Sequence, residues 1–326
     1  MTSLYLGWGR SNAWGVALAE DLGALAVFTG ESDSNAARPR SLGRRYLRDL
    51  RISREALATH APDLVIWQVP PTIAPLVGSV VTGPAARWGI DMHSGGVNLG
   101  RWRWLLPVLR YRARKATFTV VHNDEIVELM RPWPSPVFVI KNYVVPVHER
   151  PKRRARTAIG DIIVAASGAV DEPLDVVTAA ARLLGGDFSI LVTGRPETLK
   201  RRLAEEPLPP NVRLTGYLPR PVYLDLLASA AMTVCLTSRP ATMQLGAWEA
   251  ASLGCPVVVS DQTVLRRYFT RGARLCQNSG PALADAIASV RREYETYRTA
   301  ADQAAGEMET ARSVEIAALR RYLWPA

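Results

Sequence analysis

The sequence predicts an α/β protein built on two doubly wound, mostly parallel sheets, and three observations carry that prediction. Short apolar runs alternate with helical patterns along the chain, as expected for strands covered by helices on both faces. The alternation is interrupted over 144–156, Val-Val-Pro-Val-His-Glu-Arg-Pro-Lys-Arg-Arg-Ala-Arg, which is polar, basic, proline-punctuated and without period. Finally, 326 residues exceed one small core and suit two domains of ordinary size.

In the first half the strand candidates are Leu4–Trp8, Leu25–Thr29, Leu64–Gln68, Ile90–His93, Thr117–Val121 and Val137–Ile140. The aperiodic basic stretch then reads as an interdomain linker, separating a domain 1–145 from a domain 146–311. A second series follows: Ile162–Ala166, Ser189–Thr193, Val212–Leu214, Thr233–Leu236, Val257–Ser260 and Arg274–Cys276. From Pro281 to Tyr322 the composition is helical throughout. The greasiest stretch, Pro71–Ala86, is broken by Pro75, Gly78, Gly83 and Pro84, short of the roughly 20 apolar residues of a membrane span.

A net charge of +10 predicts attraction to something anionic, such as a nucleotide, an acidic glycan, nucleic acid or lipid. No nucleic-acid reader motif accompanies it. Cys235, Cys255 and Cys276 form no CxxC, and each sits in an apolar segment, so buried reduced thiols and a cytoplasmic location are expected. The amino end has no basic leader, and Arg10 interrupts its apolar run, which argues against a secretion signal.

The richest motif is Gly246-Ala-Trp-Glu-Ala-Ala-Ser-Leu-Gly-Cys-Pro-Val-Val-Val-Ser-Asp261. Glu249 is the only charge of its helix, Gly254 stands where a left-handed cap is wanted, and the valines form the next strand. The segment resembles the donor-binding motif of group 1 glycosyltransferases of the GT-B fold, a retaining family. The resemblance implies two Rossmann-like domains facing across a cleft and a terminal helix, about 312–326, that packs back on the first. It also implies a metal-independent transfer of sugar from a nucleoside diphosphate to a hydroxyl acceptor, without a cofactor. In the family the helix start holds the diphosphate, which here assigns Met243, Gln244, Leu245 and Gly246. Glu249, one turn on, would take the ribose hydroxyls; its bland alternative is a solvated helix residue.

Two departures bear on this reading. A second family glutamate, eight residues upstream, is Ala241 here, with Thr242 and Gln244 as partial substitutes. The family's arginine and lysine after the first strand of the second domain are also absent from Ala166-Ser-Gly-Ala-Val-Asp-Glu-Pro173, leaving Arg195 or Arg239 for the diphosphate. Gly216, in the turn before Tyr217, matches the family's approach of backbone to the base.

On the acceptor side, Gly89–Gly100 reads as a strand opening into a glycine-rich loop, with His93 matching the family histidine near the reaction centre and Gly95 allowing close approach. A loop-capping histidine is the alternative. Arg10 and Asn12 follow the first strand; Arg10 suits an anion or plain solvent, and Asn12 breaks a dinucleotide GxGxxG. Residues 101–115 form a basic amphipathic helix with Arg103, Arg110 and Arg114 together and Trp102, Leu105, Leu109 and Ala113 opposite. Its apolar face either packs on the sheet or rests on an anionic membrane, where a lipid-linked acceptor would lie. A nucleotide-sugar 2-epimerase and a degenerate nucleotide- or glycan-binding protein are the competing functions.

Overall fold

A computed structural model describes residues 2–30, 41–83, 86–98, 100–141, 143–152, 156–203 and 207–325, apart from the side chains of 101 and 200–203. Pro84 and the centre of the basic stretch, 153–155, therefore lie outside the described residues. The chain divides into two compact units: Met1–Lys141 with Ser313–Ala326, and Asn142–Arg312.

The first unit holds six parallel strands: β1 (Ser3–Gly7), β2 (Ala24–Phe28), β3 (Leu64–Val69), β4 (Arg87–Met92), β5 (Phe118–Val121) and β6 (Val137–Val139), in the order β2-β1-β3-β4-β5-β6. β1 and β3 are buried along their whole length, which is why they read as continuous apolar runs rather than alternating ones. Chain direction across the sheet reverses between β1 and β3, placing a crevice at their carboxyl ends. Arg87 donates to the Leu323 carbonyl at 2.9 Å and Tyr322 to that of Thr117 at 3.0 Å, tying the carboxyl-terminal segment to this unit.

The second unit holds β7 (Ile162–Val164), β8 (Ile190–Thr193), β9 (Val212–Gly216), β10 (Met232–Cys235), β11 (Val257–Ser260) and β12 (Ala273–Cys276). All are parallel, ordered β12-β11-β10-β7-β8-β9, with the reversal between β7 and β10. Helix Leu245–Ser252 ends at Gly254, whose φ of +71° is the left-handed cap the sequence calls for. All three cysteines are free and buried.

The described part of the basic stretch, which follows the division between the units, packs on the second unit. Tyr143 and Val145 are fully buried, and the Val145 N–H donates to Ser252 Oγ at 3.2 Å. Arg156 donates to the Ala228, Leu253 and Gly254 carbonyls, satisfying acceptors left over at two helix ends. Its apolar start and its one capping arginine outweigh the polar average of the stretch.

The glycine-rich loop is also corrected. Residues Ser94–Asn98 form a short helix that buries Gly95, and a Cβ on Gly96 would come within 2.4 Å of Val69 Cγ1. These glycines allow helix and sheet to approach. The 101–115 helix is broken into Gly100–Arg103 and Leu106–Arg112, with Pro107 in the first turn of the second piece. Trp102, Leu109 and Ala113 are buried as the wheel requires; the Arg101 side chain lies outside the described residues. Among the described residues no helix is long and apolar enough to cross a membrane.

Candidate functional site

The two groups of site residues belong to different units, and each is described by itself. In the second unit, loops 165–173 and 236–244 leave the carboxyl ends of β7 and β10 and meet at the chain reversal. Asp171 ties them together. Its carboxylate accepts from Thr237 Oγ1 at 2.9 Å and pairs with Arg239 at 2.5 Å, while its carbonyl accepts from the Ser238 N–H at 2.7 Å. Arg239, one candidate for the diphosphate, is thus already paired.

Next to this lock, the start of helix Leu245–Ser252 comes in close. A Cβ on Gly246 would lie 2.8 Å from Ala165 Cβ and 3.1 Å from the Tyr223 hydroxyl, so only glycine seats the helix there. The Gln244 carbonyl takes the Ala247 and Trp248 N–H groups, and its side chain donates to the Leu236 carbonyl at 2.8 Å. No intrahelical partner exists for the Leu245 and Gly246 N–H groups, which point the helix's positive end toward the loop. Met243 and Leu245 are half-buried beside them. Thr242 donates to the Pro240 carbonyl, and Ala241 has a φ of +51°, a left-handed conformation uncommon for a residue with a Cβ.

A second set of amides lies in the loop after β7. The Ser167, Gly168 and Ala169 N–H groups and the Ser167 hydroxyl all donate to the Glu172 carboxylate, at 2.9, 2.7, 3.0 and 2.9 Å. Such a run of amides is an anion-binding nest, here filled by the chain's own acid. Arg195 lies half-buried after β8, its guanidinium 5.7 Å from the ring centroid of exposed Tyr217; Gly216 beside it has a φ of +80°.

Glu249 is only 3 % exposed, and its Oε1 pairs with Arg220 Nη1 at 2.6 Å. Arg220 also reaches Glu149 and the Tyr143 hydroxyl, each at 2.6 Å. Burial pushes the Glu249 carboxyl up, against the pull of Arg220 and the Tyr223 hydroxyl; Arg220, hydrogen-bonded to both acids, stays charged. The solvated alternative does not describe this carboxylate, which is buried and paired within the chain. The helix buries every residue from Ala247 to Ser252, so an acid there requires an internal cation.

In the first unit, Asp91, the last but one residue of β4, is fully buried. Its Oδ2 accepts from the Tyr5 hydroxyl at 2.6 Å and faces His93 Nε2 at 3.0 Å, and its Oδ1 faces His122 Nε2 at 3.1 Å. Burial alone would raise the Asp91 carboxyl, but the two imidazoles outweigh it and hold the group well below the usual carboxylate range. The imidazoles are 4.0 Å apart between centroids, and Trp14 stacks on His122 at 4.0 Å. Asn12 caps helix Ala13–Asp21 by accepting from the Gly15 N–H, and its amide donates to Gln68 Oε1 at 3.3 Å; Gln68 Nε2 then meets His93 Nε2 at 3.1 Å. Asn12 and His93 are thereby joined in one network. Arg10 is exposed, and Gly95 is buried in its helix.

Residues 161–292 match the family described as "Glycosyl transferases group 1". No protein of curated function matches the sequence. Among solved structures, the chain is similar to sucrose-phosphate synthase from Thermosynechococcus elongatus, at 16 % identity and TM-score 0.72 over 99 % of both chains. It is similar to Anabaena HepE in complex with UDP and glucose, at 13 % identity and TM-score 0.73 over 100 % of both. A putative UDP-N-acetylglucosamine 2-epimerase from Listeria monocytogenes follows at 14 % and 0.65, over 99 % of this chain and 97 % of that one. These likenesses show a shared fold, GT-B, with two six-stranded α/β sheets.

Within the matched segment, the predicted Met243–Gly246 residues and Gly216 lie at the carboxyl edge of the sheet, as does Arg195. Sequence reading missed Arg220 as the partner of Glu249, Tyr143 as a further partner of Arg220, and Glu172 as the occupant of the nest. In the first unit it missed His122. Its signal was present: a histidine directly after an apolar strand, as His93 is.

Proposed function

We propose that the chain transfers a sugar from a nucleoside diphosphate to a hydroxyl acceptor, with retention of anomeric configuration. The observation that carries this reading is the group 1 domain over 161–292, whose sheet reversal is met by the open amino end of helix Leu245–Ser252. The Leu245 and Gly246 amides, with Gln244 and Arg195, bind the diphosphate. Ribose hydroxyls share the Glu249 carboxylate with Arg220, so Glu249 chiefly positions that cluster. The acceptor belongs to the first unit, where His93, held by Asp91 and Gln68, bonds a sugar hydroxyl. Transfer breaks the bond from C1 to the diphosphate oxygen, forms one from C1 to the acceptor oxygen, and passes the acceptor's proton to the departing phosphate.

Supporting a uridine donor are the similar folds solved with UDP and with UDP-glucose. A screen of uridine and guanosine diphosphate sugars, by calorimetry and by release of free nucleotide with and without added glycans, tests the reading. Binding of at least one donor with slow hydrolysis is expected; a chain that binds none of them is no transferase. The likeness to 2-epimerases is checked in the same screen, because an epimer formed without acceptor would replace transfer by epimerisation.

The acceptor is proposed to be lipid-linked, taken from an anionic surface. Trp104 is 85 % and Tyr111 65 % exposed, alongside exposed Val108, Arg103, Arg110 and Arg114. The purified chain is expected to sediment with anionic vesicles at low salt and to lose most of that binding in a Trp104→Ser, Tyr111→Ser variant. Equal sedimentation of the two would remove the surface.

A further inference from the structure

We infer that Asp91, His93 and His122 form a site for a borderline divalent cation of the zinc class. The three side chains come from adjacent strand ends. Asp91 pairs with Val120 and Met92 with Val121 across β4 and β5, so His93 and His122 are the next residues along the two strands. Their donor atoms all lie within 4.8 Å of one another. Metal-to-ligand distances of about 2.0–2.2 Å separate neighbouring donors by roughly 3 Å. The Asp91 contacts with His93 and His122, 3.0 and 3.1 Å, have that spacing.

A further observation, of charge, points to an ion rather than to hydrogen bonds alone. Asp91 is fully buried, and among the described residues its ion pairs are with these two imidazoles only. A buried carboxylate without a permanent positive partner is costly, and a divalent ion supplies one.

Two imidazoles and one carboxylate suit zinc or cobalt better than magnesium or calcium, which favour all-oxygen sets. Three protein ligands leave a fourth position for water or a substrate oxygen, and His93 is the ligand partly open to solvent. The Tyr5 hydroxyl on Oδ2 and the Trp14 ring on His122 orient two of the three ligands from behind.

The test needs only the full chain, stripped with a chelator and titrated with Co2+ and then Zn2+. One equivalent of Co2+ is expected, with visible ligand-field absorption abolished by Zn2+. His122→Phe, which keeps a ring against Trp14, should weaken binding roughly a hundredfold or more, and Tyr5→Phe roughly tenfold. Circular dichroism checks that both variants fold. Absence of the visible bands in the native chain at micromolar Co2+ overturns the site without recourse to any variant. Thiolate charge-transfer bands, or native affinity in the His122→Phe chain, overturn it as well.

Discussion

The two units share an architecture and differ in what they place at the carboxyl edge of the sheet. In the second, each acid is fixed: Glu249 on Arg220, Asp171 on Arg239, Glu172 on three amides. In the first, a buried carboxylate meets two imidazoles, groups that can hold a proton or an ion. The strand orders differ too, β2-β1-β3-β4-β5-β6 against β12-β11-β10-β7-β8-β9, so the reversal lies between the second and third strands in one and at the centre in the other. One edge is electrostatically settled and suits holding a charged ligand. The other keeps proton and ligand exchange available.

The largest expected effect breaks the settled edge. Arg220→Ala leaves Glu249 buried without its cation and should destabilise the second unit by about 3 kcal/mol. Denaturant unfolding checks it, and a paired Arg220→Met, Glu249→Gln variant should recover most of the loss. A full recovery of fold without recovery of donor binding would give the cluster a binding role as well. In the first unit the balance should invert. His93→Asn is expected to lower turnover about a hundredfold while leaving the unfolding midpoint nearly unchanged. A variant that unfolds early instead would make His93 structural.

Gly246→Ala asks how closely the helix start must sit. The added Cβ meets Ala165 Cβ at 2.8 Å, so a cost of about 1–3 kcal/mol and weaker diphosphate binding are expected, by calorimetry with UDP. The smallest effect concerns the thiols. Burial pushes all three cysteines up, Cys276 to about 11, so none should react with a thiol reagent at pH 8 until denaturant is added.

Much of the fold was legible because buried parallel strands leave uninterrupted apolar runs; Val257–Ser260 falls where it was read, and Gly254 caps as its residue type demands. Local patterns carry such information. The packing around the basic stretch was not legible because its order comes from contacts remote in sequence, Tyr143 with Arg220 and Arg156 with Leu253. Gly95 and Gly96 were misread because close packing and open loops both require a missing side chain. His122 escaped for a related reason. Twenty-nine residues separate it from His93, and only the pairing of β4 with β5 brings the two rings together. Glu249 stands out in its motif, but its burial and its pairing with Arg220 depended on which helix face the sheet covers.

The self-filled cradle over 167–169 has a bearing on how this chain would meet a charged ligand. An anion reaches those three amides only by evicting Glu172, so uptake there is an exchange of one negative group for another. Such a swap leaves the local field almost unaltered. Sensitivity to ionic strength would then report on the positive surface elsewhere on a +10 protein, and the evicted side chain, swung into water, would mark the occupied state.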